Sequence, residues 1–145
     1  MPSSNIEIVQ NIYDAFLRGD IPTVVEGLSP DATWALVGRE QDVPFAGIRN
    51  GKTGATDFFR ILAETVDVGS FVPREYLAAE DKVFVWGDWQ WTVRRNGVGG
   101  KAEWLHVFVM KNGKVTSWRS HTDTAQIAAT LHAPASGTDR RAAGR

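Results

Sequence analysis

Residues 82–123 read KVFVWGDWQWTVRRNGVGGKAEWLHVFVMKNGKVTSWRSHTD. Three runs rich in valine, tryptophan, phenylalanine and threonine are separated here by Asn96-Gly97 and Asn112-Gly113. β-Branched and aromatic runs bounded by turn residues are strand signals. Asn-Gly supplies the positive φ angles that a tight hairpin turn requires. Lys111 and Lys114 flank the second turn symmetrically, which makes it the firmer of the two. The stretch therefore predicts antiparallel strands over Lys82–Arg95, Ala102–Met110 and Val115–Asp123, with Phe71–Ala79 as a further strand upstream.

The first half has the period of helices. Ser4-x-x-Glu7 has the form of a capping box, and Ile6, Val9, Tyr13, Phe16 and Leu17 follow on one stripe. Gly19-Asp20 ends that helix, and Ile21–Leu28 predicts a short second one. Pro30-Asp31 breaks the chain before a strand at Ala32–Val37, in which Trp34 and Leu36 share a face. A glycine-rich loop through Gly38, Gly47 and Gly51 leads to a third helix near Lys52–Val66, with Phe58, Phe59, Ile61 and Leu62 as its apolar set. Thr124–Leu131 closes the pattern as a helical turn. The fold class is α+β: N-terminal helices packed on a curved antiparallel β-sheet. Residues 1–131 are expected to form a single domain, and 132–145, small, polar and arginine-rich, a disordered tail.

Composition narrows the function classes. Sixteen Lys and Arg against seventeen Asp and Glu leave a formal net charge of −1 over 145 residues, without the basic footprint of a nucleic-acid binder. There is no cysteine, so disulfides, thiolate catalysis and cysteine-held metals are excluded. Three scattered histidines make a dedicated zinc site a poor expectation, and no other cofactor is implied. Gly38 to Lys52 lacks the glycine-lysine arrangement of a phosphate loop. No apolar run reaches the length of a membrane span, and the first residues lack a basic and apolar leader, so a cytoplasmic location is expected.

Alternation divides the long strand into two sets. Val83, Val85, Gly87, Trp89, Trp91 and Val93 form one; Phe84, Trp86, Asp88, Gln90 and Thr92 form the other. Pattern alone puts the first set on the core and the second in water. Tryptophan on both faces suggests cover on both sides, by helices on one and a partner subunit on the other. A two-residue turn at Asn112-Gly113 sets Val107 opposite Trp118, Leu105 opposite Ser120 and Glu103 opposite Thr122. His106 would then face Arg119, and Trp104 would face His121, on the outer side with Asp123. There they form either an acid–base pair or a polar cluster at an interface.

Val9-Gln10, Gly19-Asp20, Asp31-Ala32-Thr33, Gly47, Gly51, Asn112-Gly113-Lys114-Val115, Trp118-Arg119 and Asp123-Thr124 occur in an order and spacing that span residues 6 to about 131. In this the chain resembles the nuclear transport factor 2-like superfamily, and within it the SnoaL-like and ketosteroid-isomerase-like proteins. The resemblance implies a cone-shaped roll, with helices closing over a strongly bent sheet around an apolar pocket. It also implies a homodimer through the outer sheet face, where Trp89 and Trp91 would fit a buried interface. The family's catalysts are not carried over. The tyrosine, base and acid positions of the ketosteroid isomerases fall on Ile12, Leu36 and Leu105, with Tyr13 one residue out of place. The Asp-Arg-Asp set of limonene-epoxide-hydrolase-like members falls on Trp86, Asp88 and Ser120 with one survivor, and the SnoaL-like cyclase aspartate maps nearest to Ser120.

Under the family register the even set of the long strand faces the pocket. Its walls would be Trp34, Leu36, Phe58, Leu62, Trp86 and Leu105, with Val107, Trp118 and Thr122 completing them. Asp88 is then the candidate general acid or base, with Gln90 and Ser120 orienting a carbonyl or a water. The function expected is binding of a small hydrophobic molecule with proton transfer or water addition at Asp88. The alternatives are a non-catalytic binder of such molecules and a homodimeric interaction domain.

Overall fold

The computed structural model describes residues 4–135 and runs α1 (Asn5–Leu17), α2 (Ile21–Glu26), β1 (Leu28–Leu36), β2 (Gly47–Asn50), α3 (Gly51–Thr65), β3 (Val66–Ala79), β4 (Lys82–Val93), β5 (Gly99–Lys111), β6 (Lys114–Thr122) and α4 (Thr124–Leu131). Six strands form one sheet in the order β2-β1-β6-β5-β4-β3. All pairs are antiparallel except β1 with β6, which run parallel. The α+β architecture follows the sequence reading. The short strand β2, hidden in the glycine-rich loop, does not. The expected tail, 132–145, falls mostly outside the described residues; its first residue, His132, closes α4 by donating its N–H to the Ala128 carbonyl at 3.0 Å. No helix among the described residues is long and apolar enough to cross a membrane.

The helices are set by local chemistry. Ser4 and Glu7 exchange capping bonds of 3.0 and 3.1 Å, which satisfies two otherwise free N–H groups at the start of α1. Val9, Ile12, Tyr13 and Ala15 then form its buried stripe. α3 buries Ala55, Phe58, Phe59 and Leu62 at the same helical spacing. Both stripes pack on the inner face of the sheet, where the core lies.

In β6 the register departs from expectation by one residue. The turn at Asn112-Gly113 forms as predicted, with Lys111 opposite Lys114 and Met110 opposite Val115. Val109, however, pairs with Ser117, so Thr116 is an extra residue in β6, a β-bulge. The Thr116 hydroxyl donates to the Val109 carbonyl at 3.1 Å. Beyond the bulge every pair is shifted: Phe108 faces Trp118, His106 faces Ser120 and Trp104 faces Thr122. A one-residue slip exchanges the two faces of a strand. Trp118 and Ser120 thereby join Trp104, His106 and Phe108 on the core face, and Leu105 and Val107 lie on the outer face.

The same holds for β4, where simple alternation gives the right faces. Val83, Val85, Trp89, Trp91 and Val93 are buried, whereas Trp86 is 46% exposed. Trp89 and Trp91, at 6% and 2% exposure, are core residues of the single chain and not outer-face interface residues. Room for them comes from glycine. Gly87 faces Trp104 across the β4–β5 pair, and Gly100 faces Trp91. A Cβ on Gly87 would lie 2.5 Å from Trp104 Cζ2 and 2.3 Å from the Val72 carbonyl oxygen; one on Gly100 would lie 2.4 Å from Trp91 Cζ2. Each indole thus lies flat across a glycine on the neighbouring strand.

β3 bends by two further bulges, one between Val68 and Phe71 and one between Pro73 and Glu75. The first brings Val68 and Phe71 to the same face, opposite Trp91 and Trp89, and curls the edge strand toward α1. Gly87→Ala is expected to destabilise the fold by about 1–3 kcal/mol, since the added methyl meets backbone and ring. Gly99→Ala, where the nearest atom is the Trp91 carbonyl at 3.5 Å, is expected to cost less than about 1 kcal/mol. Urea unfolding of the two variants checks the difference.

Candidate functional site

α1, α3 and the inner sheet face enclose a cavity of about 70 Å³. At its centre Tyr13 Oη, from α1, lies 2.8 Å from His106 Nδ1, from β5. Both side chains are buried. The imidazole stacks on Trp104 with ring centres 4.0 Å apart, and Trp104 stacks in turn on Phe71 at 4.7 Å. On the other side Trp34 and Trp118, paired across β1 and β6, stack at 4.3 Å, and the edge of that pair meets His106 at 4.9 Å between His106 and Trp118. Ser120 sits directly opposite His106 in the sheet and also lines the cavity.

The electrostatics follow from this enclosure. Burial holds the His106 imidazole well below its ordinary pKa, and the nearby His121 pushes in the same direction. Burial likewise raises the Tyr13 hydroxyl well above its ordinary range, with Tyr76 adding to the effect. Both partners are neutral near pH 7, and the hydrogen bond joins two uncharged groups. No Asp, Glu, Lys or Arg lines the cavity among the described residues.

Trp34, Leu36, Phe58 and Leu62, with Trp118, Ser120 and Thr122, line the cavity. Trp86, Asp88, Gln90, Leu105 and Val107 do not; they occupy the outer face, because the odd set of β4 and the even set of β5 turn inward. Asp88 forms an ion pair there with Arg74, Oδ2 to Nε at 2.6 Å, beside the second bulge of β3. A carboxylate at the cavity wall, the premise for Asp88 as acid or base, is absent. His106 and Trp104 are not outer-face partners of Arg119 and His121, and Asp123 instead caps α4 by accepting the Gln126 N–H at 3.0 Å.

Tyr13 is absent from the sequence-based site, and His106 entered it only as an outer-face acid–base or interface residue. Tyr13 sits on the buried stripe already, and only alignment with a family position one residue earlier directed it away. For His106 a signal existed. Val115 and Trp118 are bulky apolar residues three apart in one strand, which strict alternation cannot place on one face and a single bulge can.

Because folding weakens proton binding at His106, its contribution to stability is complete above about pH 6.5 and is lost as pH falls toward the folded-state pKa. Urea unfolding is expected to show this as a slope of up to about 1.4 kcal/mol per pH unit below pH 6.5. His106→Phe should flatten that limb, and His121→Ala should largely keep it.

The comparisons bear on the fold. The SnoaL-like domain profile matches residues 9–118. An NTF2-like protein of unknown function from Burkholderia pseudomallei is 25% identical, covering 91% of this chain and 100% of its own, with a TM-score of 0.84. TerC, co-crystallised with polyporic acid, is 25% identical over 90% of this chain and 100% of its own, at a TM-score of 0.82. A chain from Mesorhizobium loti, provisionally described as a SnoaL-like polyketide cyclase, shares the fold at 18% identity and a TM-score of 0.67, over 81% of this chain and 98% of that one. No curated protein matches the sequence. The chain belongs to the SnoaL-like domain family of the NTF2-like superfamily.

Proposed function

We propose that the chain binds a small, largely aromatic molecule in this cavity and moves a proton on it without a cofactor, with Tyr13 and His106 as the acid–base pair. The observation that carries the reading is the buried 2.8 Å contact between Tyr13 Oη and His106 Nδ1 in the cavity wall. It occupies one ring nitrogen. Among the described residues no group hydrogen-bonds the other, Nε2, which is left for a ligand.

The chemistry follows from neutrality. With the Tyr13 hydroxyl donating to Nδ1, Nε2 carries the ring proton and donates to a ligand oxygen. In the other tautomer Nδ1–H donates to Tyr13 Oη, and the Nε2 lone pair is a base. As base it takes a proton from the carbon beside a carbonyl, and the C–H electron pair becomes the enolate double bond. The imidazolium then returns the proton to another atom of the same molecule, which completes an isomerisation or an intramolecular ring closure. The apolar walls make the imidazolium short-lived and favour that return. In this reading Ser120, opposite His106 in the sheet, donates to the enolate oxygen. TerC, similar in fold at 25% identity, having been crystallised with polyporic acid, supports a small organic ligand in this scaffold.

Deuterium uptake at the α-carbon of 1-tetralone in D2O tests the reading by NMR. Wild type is expected to accelerate exchange. His106→Ala should slow it by about a hundredfold or more and Tyr13→Phe by about tenfold, with ligand affinity changed far less. Bound tetralone with no acceleration would instead favour the non-catalytic binder.

The homodimer belongs to the same proposal, on different residues from those first expected. Trp86 and Leu105 are cross-strand neighbours at 46% and 40% exposure on the outer face, with Leu77 on β3 more exposed still. An aromatic and aliphatic patch beside the Arg74–Asp88 pair suits an isologous contact with a second copy. Trp86→Lys is expected to shift sedimentation equilibrium from dimer to monomer at micromolar concentration. A wild type already monomeric there would refute the interface.

A further inference from the structure

We infer that residues 38–46, the loop joining β1 to β2, are a lid whose Phe45 plugs the cavity and swings out when a ligand enters. The inference rests on the reading of the cavity as a ligand site and adds how that site opens. It begins from volume. The cavity holds about 70 Å³, whereas an apolar space that admits a benzene-sized ring measures about 150 Å³. As folded, the walls stand too close for even one aromatic ring, so a wall has to move before the site can be filled. Only one can do so without breaking a helix or a sheet ladder. Of the residues that line the cavity, every one but Phe45 lies in a helix or a strand. Phe45 sits in the loop, wholly buried, with its ring edge-on to Phe58 at 6.3 Å.

The loop's hydrogen bonds are local. The Asp42 and Val43 N–H groups both donate to the Arg39 carbonyl at 3.0 Å, the Ala46 N–H donates to the Val43 carbonyl at 2.9 Å, and Arg39 pairs with Asp42. Arg49, on β2, straps the end of the loop by donating from Nη2 to the Pro44 and Ala46 carbonyls at 3.1 and 3.3 Å. From Gly38 to Ala46 no hydrogen bond among the described residues reaches a helix or any strand but β2. Glycines stand at both ends, Gly38 at φ 157° and Gly47 at φ 102°, and give the segment a hinge on each side. What keeps it closed is the burial of Val43, Phe45 and Ala46. A ligand ring that takes the place of Phe45 against Phe58 replaces that apolar contact. The ligand thus favours the open loop over the closed one, which couples opening to filling.

Amide hydrogen exchange of the wild type reads the lid with no ligand present. The amides of Asp42, Val43 and Ala46 are expected to share one protection factor, about a hundredfold or more below those of Trp89 and Trp91 in β4. Arg49→Met removes the strap and should speed exchange of those three amides about tenfold while leaving β4 unchanged. Protection equal to that of β4, three unrelated rates, or an Arg49→Met effect as large in β4 would overturn the inference. A disulfide tests the coupling to ligand entry. The chain has no cysteine, and a Cβ on Gly38 would lie 3.6 Å from Thr124 Cβ at the start of α4, within disulfide range. In the double variant Gly38→Cys, Thr124→Cys, oxidation fixes the first hinge to α4, and the reduced form of the same protein is the control. Stopped-flow tryptophan fluorescence with 1-tetralone is expected to show association about tenfold or more slower in the oxidised form. Equal rates in the two forms would overturn the lid. Tetralone binding to neither form, with loop exchange as expected, would support the hinged segment and overturn the ligand site of the earlier reading.

Discussion

One extra residue in β6 decides which side of that strand lines the cavity. Thr116 is inserted opposite the Met110–Val109 step, and its hydroxyl closes the gap on the Val109 carbonyl. Downstream of that point Trp118 and Ser120 line up with Phe108 and His106, and Thr122 with Trp104. Upstream, the turn keeps the two-residue geometry that Asn112, at φ 53°, and Gly113, at φ 78°, impose. Without the bulge β6 would turn its other face inward, and Ser117 and Arg119 would stand where Trp118 and Ser120 line the cavity. β5 pairs with β4 without a break and keeps Trp104, His106, Phe108 and Met110 inside on both sides of the insertion. The Trp34–Trp118 stack and the place of Ser120 opposite His106 are consequences of the insertion.

The second constraint is the pairing of tryptophan with glycine across β4 and β5. A sheet that carries so many indoles on one concave face has to find room for them without lifting the helices off the core. Gly87 and Gly100 give that room at the two positions where an indole crosses the neighbouring strand. The cost is the weaker strand propensity of glycine, which the flat indole covers by shielding the backbone beneath it. The stack of Phe71, Trp104 and His106 is therefore built on a strand position with no side chain of its own. The bulges in β3 then bend the edge of the sheet far enough for Phe71 to close that stack from the other side.

Most of the architecture was legible because it is local. The capping box at Ser4 and Glu7, the helical stripes of α1 and α3, the Asn112-Gly113 turn and the α4 span each depend on a few consecutive residues; at Asn96-Gly97 only the glycine takes a positive φ, in a longer connection from Val93 to Gly99. The site was not legible in the same way, because the pairing of β5 with β6 depends on the bulge, and an aromatic-aliphatic strand is apolar in both phases. Trp104, His106, Phe108 and Met110 on one side compete with Leu105, Val107 and Val109 on the other, and hydrophobicity alone does not choose between them. In β4 the simple alternation of Val83, Val85, Trp89 and Trp91 gave the correct face, and the borrowed family register reversed it. Asp88 was drawn into the cavity by that reversal. The structure returns it to the surface beside Arg74.

Of the residues expected at the tyrosine, base and acid positions of the ketosteroid isomerases, Ile12 and Leu36 line the cavity and Leu105 lies outside it. A carboxylate buried in this wall would need a cation or several donors to remain charged, and the described lining offers no cation. Under the proposed reading Tyr13 and His106 remove that requirement, because each can be buried neutral and each satisfies the other at 2.8 Å. The energetics of the proposed reaction differ accordingly. A carboxylate base would begin charged and end neutral, whereas the imidazole would begin neutral and acquire its charge only as a ligand became an enolate. Separating those charges is favourable in an apolar cavity only while they remain in contact. Such a site suits proton transfers that start and finish on one molecule.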